Sequence, residues 1–325
     1  MQKICPEILI ISNKHDYSTD HITFQLHKMG ASYLRLNRDQ FLEFNISFIP
    51  TEQKLFGETN NFSFEISAKL LNSIYFRAPV YLRDNYQPDL SPDEQLSRSQ
   101  WAAFIRGLTV FDNVLWVNHP QATYKAEIKS YQLYIAKKIG FDVPDTIITN
   151  TGQHLNKIRQ ENGRFVIKTL DPVILSIDHR EAFIYTNFIE YDELKKANLS
   201  NAAVILQQAL IPKVDIRVTV VGNFTFAVDI RQNNKGIEKD WRLEKNNVRY
   251  TKINLPNDIE NRCITLVKEL ELEFGAIDLA LCDGKYYFLE INPTGEWAWL
   301  MDHTKLEIDK AIAKLLVHDR GSYSE

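Results

Sequence analysis

Glu290 and Asn292 lie two residues apart in KYYFLEIN, and Asp278 lies just upstream in AIDLALC. Residues two apart in a strand share a face. Two carboxylates and an amide oxygen are hard oxygen donors, suited to Mg²⁺ shared with nucleotide phosphates. Asp283-Gly284, between the two apolar runs, is a strong hairpin signal. A two-residue loop there pairs Leu289 with Asp278 and sends Glu290 to the other face. An odd-numbered loop with a glycine bulge puts Asp278 and Glu290 together, so a magnesium site requires the odd loop. Alternating acids also occur on solvent-facing strands. Here the acid sits inside the apolar run FLEI, and a buried charge needs a partner.

These residues need a scaffold to bring them together. EILIIS at 7–12, a segment around His21–Met29 and SYLRLN at 32–37 read as strand, helix and strand of a small α/β unit. NISFI, FSFEIS and SIYFRA add β segments, and 94–111 reads as a helix. VLWVNHP at 114–120 closes this first unit. A helix is expected over Ala126–Ile139, capped by Gly140. Strands are expected at 144–150 and 164–170, with a mobile stretch at 171–200 that is polar and irregular apart from FIYTNF. AVILQQAL, DIRVTVVG and FTFAVDIR are strand-like. An amphipathic helix follows at 258–274, with Asn257 and Glu260 resembling a capping box. The boundaries expected are 1–118, 119–202 and 203–325.

Bulk properties narrow the function. With 325 residues, 44% hydrophobic and 25% charged, the chain is of ordinary globular composition and long enough for two or three domains. A net charge of −4 argues against nucleic acid. Cys5, Cys263 and Cys282 are far apart and odd in number, which fits a reducing cytoplasm and no zinc spacing. The first residues read as a strand, not a signal peptide, and no apolar run is long enough to span a membrane.

FGAIDLAL followed by YYFLEINPTGEW resembles the closing motif of ATP-grasp enzymes. It is most similar to the branch that modifies ribosomally made peptides, the graspetide (microviridin-type) macrocyclases. Ligases that add glutamate to a ribosomal protein are the next resemblance. The likeness covers about residues 118–315 well and the first unit loosely. It implies an α/β (α+β) ATP-grasp fold of three domains: an N-terminal α/β domain, a central helical lid domain and a C-terminal domain with the metal-binding hairpin. The nucleotide is clamped between two antiparallel-sheet lobes, with ATP and Mg²⁺ as cofactors.

The resemblance also implies roles. Lys129 and Lys168 stand where two lysines reach nucleotide phosphates, with Lys125 a competitor for the first place. Gln207 and Gln208 fall at the hinge strand where adenine bonds the backbone, Leu210 packs on the base, and Asp215 holds the ribose. The family commonly has Glu where this chain has Gln208. Arg217 and Arg231 match arginines on the transferred phosphate. A tight Gly222-Asn223 turn would put those two on opposite faces, so both reach one site only through a bulge or an odd loop. Lys239-Asp240-Trp241-Arg242 resembles a motif near the acceptor, and Arg77 keeps part of a first-domain Tyr-Arg-Arg segment. Trp241 reads equally as core packing, and Arg77 as a strand-end arginine. The stretch TLDPVILSIDHREAFIYTNF departs from the family, having none of the glycines whose amides cover the phosphates.

The expected reaction activates a carboxylate as an acyl-phosphate and joins it to a hydroxyl or amine. In the peptide branch both are side chains of a precursor peptide bearing a leader segment, and the enzyme is a homodimer. An amino-acid or small-molecule ligase, and a nucleotide- or peptide-binding protein without turnover, are the competing readings.

Overall fold

The computed structural model describes residues 2–77, 90–158, 163–171, 174–177, 180–183, 186–237, 241–243 and 248–317. Lys239 and Asp240 lie outside the described residues, as do Pro172, Val173, Asp178, His179, Ile184 and Tyr185 of the glycine-free stretch.

The first unit contains β1 (Gln2–Ile4), β2 (Ile8–Ser12), α1 (Tyr17–Lys28), β3 (Tyr33–Asn37), β4 (Asn45–Ile49), β5 (Lys54–Glu58), β6 (Phe62–Ser67), β7 (Ser73–Phe76), α2 (Pro92–Gly107) and β8 (Leu115–Val117). A parallel sheet runs β3-β2-β7-β8, and a second sheet runs β1-β6-β5-β4. β2 is apolar at four successive positions because both of its faces are covered. Ile8 and Ile10 pack with Ile22 and Leu26 of α1, and Leu9 and Ile11 pack with Ile105 of α2.

The helix expected over Ala126–Ile139 is two helices, α3 (Pro120–Ala126) and α4 (Lys129–Lys138). The break frees the Ala126 carbonyl, which accepts from the buried Gln132 Nε2 at 2.6 Å. Gly140 follows α4 at φ +96°, as its capping role requires.

A smaller antiparallel sheet uses β9 (Thr146–Thr149), β10 (Arg164–Lys168), β13 (Asn187–Glu190) and β14 (Val204–Gln208), in the order β13-β10-β14-β9. Beside it stand the hairpin β11 (Ile174–Ile177) and β12 (Arg180–Phe183), and the helix α5 (Tyr191–Lys196). The stretch expected to be irregular therefore holds three strands and a helix. β14 pairs with β9 and β10, so it belongs to the smaller sheet and not to a unit beginning at 203.

The larger sheet is antiparallel: β17 (Val248–Ile253), β16 (Phe224–Gln232), β15 (Val214–Val221), β18 (Phe274–Cys282) and β19 (Lys285–Asn292), in that order. One face is covered by α3, α4 and α6 (Asn257–Glu269), through Ala126, Ile135, Ile259 and Leu266 on Val218, Ile277, Phe288 and Ile291. Since α3 and α4 pack here, they join the larger sheet and not a central unit. The expected Asn257 cap is absent: Pro256 precedes the helix, and Glu260 instead accepts from Thr225 Oγ1. On the other face α7 (Ala298–Thr304), α8 (Ile308–Val317) and the first unit cover one end through Val221, Val228 and Phe274. The remaining end of that face fronts the smaller sheet.

Candidate functional site

The site begins with the β18–β19 hairpin. Asp283 and Gly284 form a two-residue turn at φ +48° and +74°, so Cys282 pairs with Lys285. The odd loop required above is not there. The parity is corrected further along: Leu279 opposes Phe288, but Asp278 opposes Glu290, leaving Leu289 as the extra residue of a β-bulge. Phe288 and Ile291 consequently both enter the helix-side core. Leu289 and Glu290 both line the cleft, and Asn292, opposite Ala276, shares the face of Glu290. Asp278, Glu290 and Asn292 thus leave one face.

Arg217 stands directly opposite Asp278 on β15 and donates from Nη1 to its Oδ1 at 2.8 Å. Asp215 is on the same face and pairs with Lys213. Arg231 is not brought to this site. The Gly222-Asn223 turn is tight, the register runs unbroken from Val221–Phe224 to Asp215–Ile230, and Arg217 faces Val228. Odd-numbered β16 residues therefore take the other face, where Arg231 bonds Asp229 at 2.8 Å. Arg242 occupies the cleft instead, 3.7 Å from Glu290 Oε1.

The break between α3 and α4 places Lys129 at the start of a helix, 3.6 Å from Glu290 Oε2. Lys125 pairs with Glu271 at 2.8 Å on the exposed surface, away from the cleft. Gln132 ties this arrangement to β19: its Nε2 donates to the Ile291 carbonyl at 2.8 Å, and its Oε1 accepts from Ile291 N at 3.1 Å.

The opposite wall comes from the smaller sheet. Lys168 and Gln207 share the cleft face with Val166. Lys168 Nζ donates to Gln207 Oε1 at 3.0 Å, and Gln207 Nε2 donates to Thr146 Oγ1 at 2.9 Å. Gln208 ends the strand with its side chain on the other face, accepting from Asp145 N at 3.4 Å. Leu210 packs with Ala280, Cys282, Tyr287 and Leu289, forming an apolar floor beside the polar end. The cleft between the walls holds about 740 Å³ open to solvent. Trp241 lines it next to Arg242 and packs tilted against Trp299 with ring centroids 5.4 Å apart, at the cleft edge.

Electrostatics separate the two acids. Burial alone would raise Glu290, but Lys129, Lys168, Arg242 and Arg217 outweigh it and hold the carboxyl down at about 2. Burial pushes Asp278 up despite Arg217, and the Glu290 charge adds to that rise. Burial lowers Lys168, and Glu290 opposes that fall. Four cationic side chains around one carboxylate suit a polyanion. Among the described residues no group of three or more His, Cys, Asp or Glu could hold a metal. The donor set of two acids and an amide, on the cleft face with four cations around it, fits Mg²⁺, which takes few protein ligands and completes its shell with phosphate and water.

Gln132 and Asn118 have no counterpart among the residues singled out from sequence, and Gly295 enters there only as part of the motif. Asn118 accepts from Glu273 N and Phe274 N and donates to the Phe274 and Pro293 carbonyls, clamping the start of β18 to the end of β19. A Cβ on Gly295 would stand 2.5 Å from Ala276 Cβ and 2.9 Å from Arg217 Nη2, so only glycine fits. The EINPTGEW segment carries the signal for Gly295; nothing local marks Asn118 or Gln132, whose β18 and β19 partners are more than 150 residues away.

The model of the RimK-like ATP-grasp domain matches residues 125–316. No curated protein sequence matches the chain. Among solved structures, the macrocyclase MdnC from Microcystis aeruginosa MRC, bound with precursor peptide MdnA, has a TM-score of 0.81 at 22% identity, over 96% of this chain and 99% of that one. A RiPP-associated ATP-grasp ligase from Chryseobacterium gregarium, in complex with ADP and a leader and core peptide, has a TM-score of 0.80 at 25% identity, over 98% of each chain. The ATP-grasp ligase PsnB, complexed with a phosphomimetic variant of minimal precursor, Mg and ADP, has a TM-score of 0.75 at 18% identity, over 97% and 98%. The two facing antiparallel sheets and the matched domain lead to one conclusion: this chain belongs to the RimK-like ATP-grasp family.

Proposed function

We propose that the chain is an ATP-dependent ligase that closes side-chain ester or amide bonds within a ribosomally made precursor peptide. The observation that carries the ligase reading is the Asp278–Glu290 pair, ringed by Lys129, Lys168, Arg217 and Arg242 in a cleft between two antiparallel sheets. The peptide reading draws its support from relatives solved with precursor peptides over nearly their whole length.

Leu210 and the strand end at Gln208 would receive the base, Asp215 the ribose, and Lys129 and Lys168 the phosphates. Asp278, Glu290 and Asn292 would hold Mg²⁺, which when bound neutralises phosphate oxygens and keeps them in line. Arg217 and Arg242 face the charge that develops as a substrate carboxylate oxygen bonds the γ-phosphorus and the bond to ADP breaks. A hydroxyl or amine of the peptide then attacks the acyl carbon, gives up its proton, and phosphate leaves. The walls supply position and charge more than covalent chemistry. Arg231, on the far face, takes no part in this reading.

The enzyme works in the cytosol, consistent with three cysteines far apart in the chain and odd in number, and as a homodimer, as the family resemblance implies. No described helix is long and apolar enough to cross a membrane. Incubation with ATP, Mg²⁺ and a short peptide encoded beside the gene tests the function. Loss of one water per bond with ADP formed supports it. Ligation of free amino acids with the peptide untouched would replace it by a small-molecule ligase.

A further inference from the structure

The segment after the metal strand is held at every carbonyl. Ile291 O accepts from Gln132 at 2.8 Å, Asn292 O from Gly295 N at 3.2 Å and Pro293 O from Asn118 at 2.8 Å. Thr294 O and Gly295 O both accept from Arg77 Nη1, and Glu296 O accepts from Arg217 Nη2 at 3.3 Å and Trp299 Nε1 at 3.2 Å. A surface loop usually leaves such groups to water. Here side chains from α4, from β15 and from the ends of β7 and β8 take all but the Asn292 carbonyl, which a backbone N–H takes.

Of the holders that follow strands of the first unit, Asn118 after β8 takes Pro293, and Thr294 and Gly295 are taken by Arg77. It follows β7, is only 8% exposed, and donates from Nη2 to the Glu296 carboxylate. Its charge is balanced by Asp16 at 3.4 Å, the cap of α1, and Ser18 Oγ also donates to Glu296 at 2.7 Å. Asp16 and Arg77 lie beyond the carboxyl ends of parallel strands β2 and β7. That is the crevice where open α/β sheets ordinarily take a ligand. In this chain it takes residues 294–296.

We propose that Arg77 is a positioning residue for the metal site: it fixes the Thr294–Glu296 strap, and through it the side chain of Asn292. The first unit thereby sets ligand geometry at a site to which it contributes no ligand. The inference rests on the metal reading of Asp278, Glu290 and Asn292. A buried guanidinium gripping two carbonyls from Nη1 and a carboxylate from Nη2 is not replaced by the single point charge of a lysine.

Mn²⁺ binding to the full chain with ADP present, followed by electron paramagnetic resonance, tests this. Arg77→Lys should weaken Mn²⁺ about tenfold or more, as loss of an outer-shell support does. ADP affinity without metal should stay within about twofold, a change below about 0.4 kcal/mol. Added to Asn292→Ala, Arg77→Lys should cost nothing further. Mn²⁺ affinity unchanged in folded Arg77→Lys, a parallel loss of metal-free ADP binding, or full additivity would each overturn the inference. Should Arg77→Lys not fold, Glu296→Gln decides: weaker Mn²⁺ supports it and unchanged Mn²⁺ overturns it. Glu290→Gln in the same titration separates the two levels. Retained Mn²⁺ binding there would overturn the metal reading itself. Loss there, with Arg77→Lys unchanged, would overturn only the role of Arg77.

Discussion

Asp278 and Glu290 stand directly opposite each other across β18 and β19, although the two-residue turn that joins the strands would by itself part them to opposite faces. The bulge at Leu289 reconciles the two. It admits a tight, unstrained Asp-Gly turn and still delivers both acids to one cleft. Glu290→Gln keeps the shape and removes the charge on which four cations converge. We expect turnover to fall at least about 10²–10³-fold, the usual scale for one preorganised electrostatic group. A steady-state ADP-release assay checks this, and turnover within a few-fold of wild type would contradict the metal assignment.

The two arginines of β15 and β16 should separate cleanly. Arg217→Ala strands the buried Asp278 carboxylate, which should cost about 3–5 kcal/mol of stability in urea unfolding as well as most activity. Arg231→Ala removes a partly exposed partner of Asp229 on the opposite face and should leave turnover within about twofold, since neither residue reaches the cleft. Equal losses in the two variants would show that sheet parity does not decide which arginine acts.

Much of this was legible in the sequence, and the limits are physical. The apolar runs gave their strands because period-two patterns and buried parallel strands leave strong composition marks. The bulge left a weaker mark. Phe288 and Ile291 are three apart, a spacing that a regular strand cannot bury on one face, and both are buried together. The tight Gly222-Asn223 turn keeps Arg217 and Arg231 on opposite faces, so the expectation that both reach one site fails at Arg231. That Lys129 and not Lys125 faces the cleft has no local mark, because the helix break behind it depends on Gln132 reaching β19.

The lysines give a second contrast. Lys129→Ala should raise the KM for ATP about tenfold, roughly the 1.4 kcal/mol of one charge-assisted phosphate contact. Lys125→Ala, whose partner Glu271 lies on the surface, should leave it unchanged. A shift with Lys125→Ala and none with Lys129→Ala would reverse the assignment.

Gly295→Ala places a methyl against Ala276 Cβ and the Arg217 guanidinium. Overpacking of this kind costs about 1–3 kcal/mol. The thermal midpoint should fall, and the Mg²⁺ half-saturation should rise because Arg217 and Asn292 must shift. A variant with wild-type midpoint and metal dependence would show the strap is looser than its contacts.

Acid pH offers a check on the charges alone, measured with chelator present. Glu290 titrates lower in the fold than its ordinary value, so it adds stability above that value and loses it as pH falls from about 4.5 toward about 2. Asp278, raised by burial, carries the opposite sign and costs stability while ionised. Glu290→Gln should therefore flatten the acid limb of the thermal midpoint against pH. An acid limb of unchanged slope would contradict the cation ring.

The most direct measurement pairs mass with nucleotide. The full chain is incubated with ATP, Mg²⁺ and the neighbouring precursor peptide, and water lost from the peptide is counted against ADP formed. We expect one ADP for each water lost, with both absent in Glu290→Gln. ADP formed with no change in peptide mass, or peptide modified without ADP, would contradict the proposed ligase.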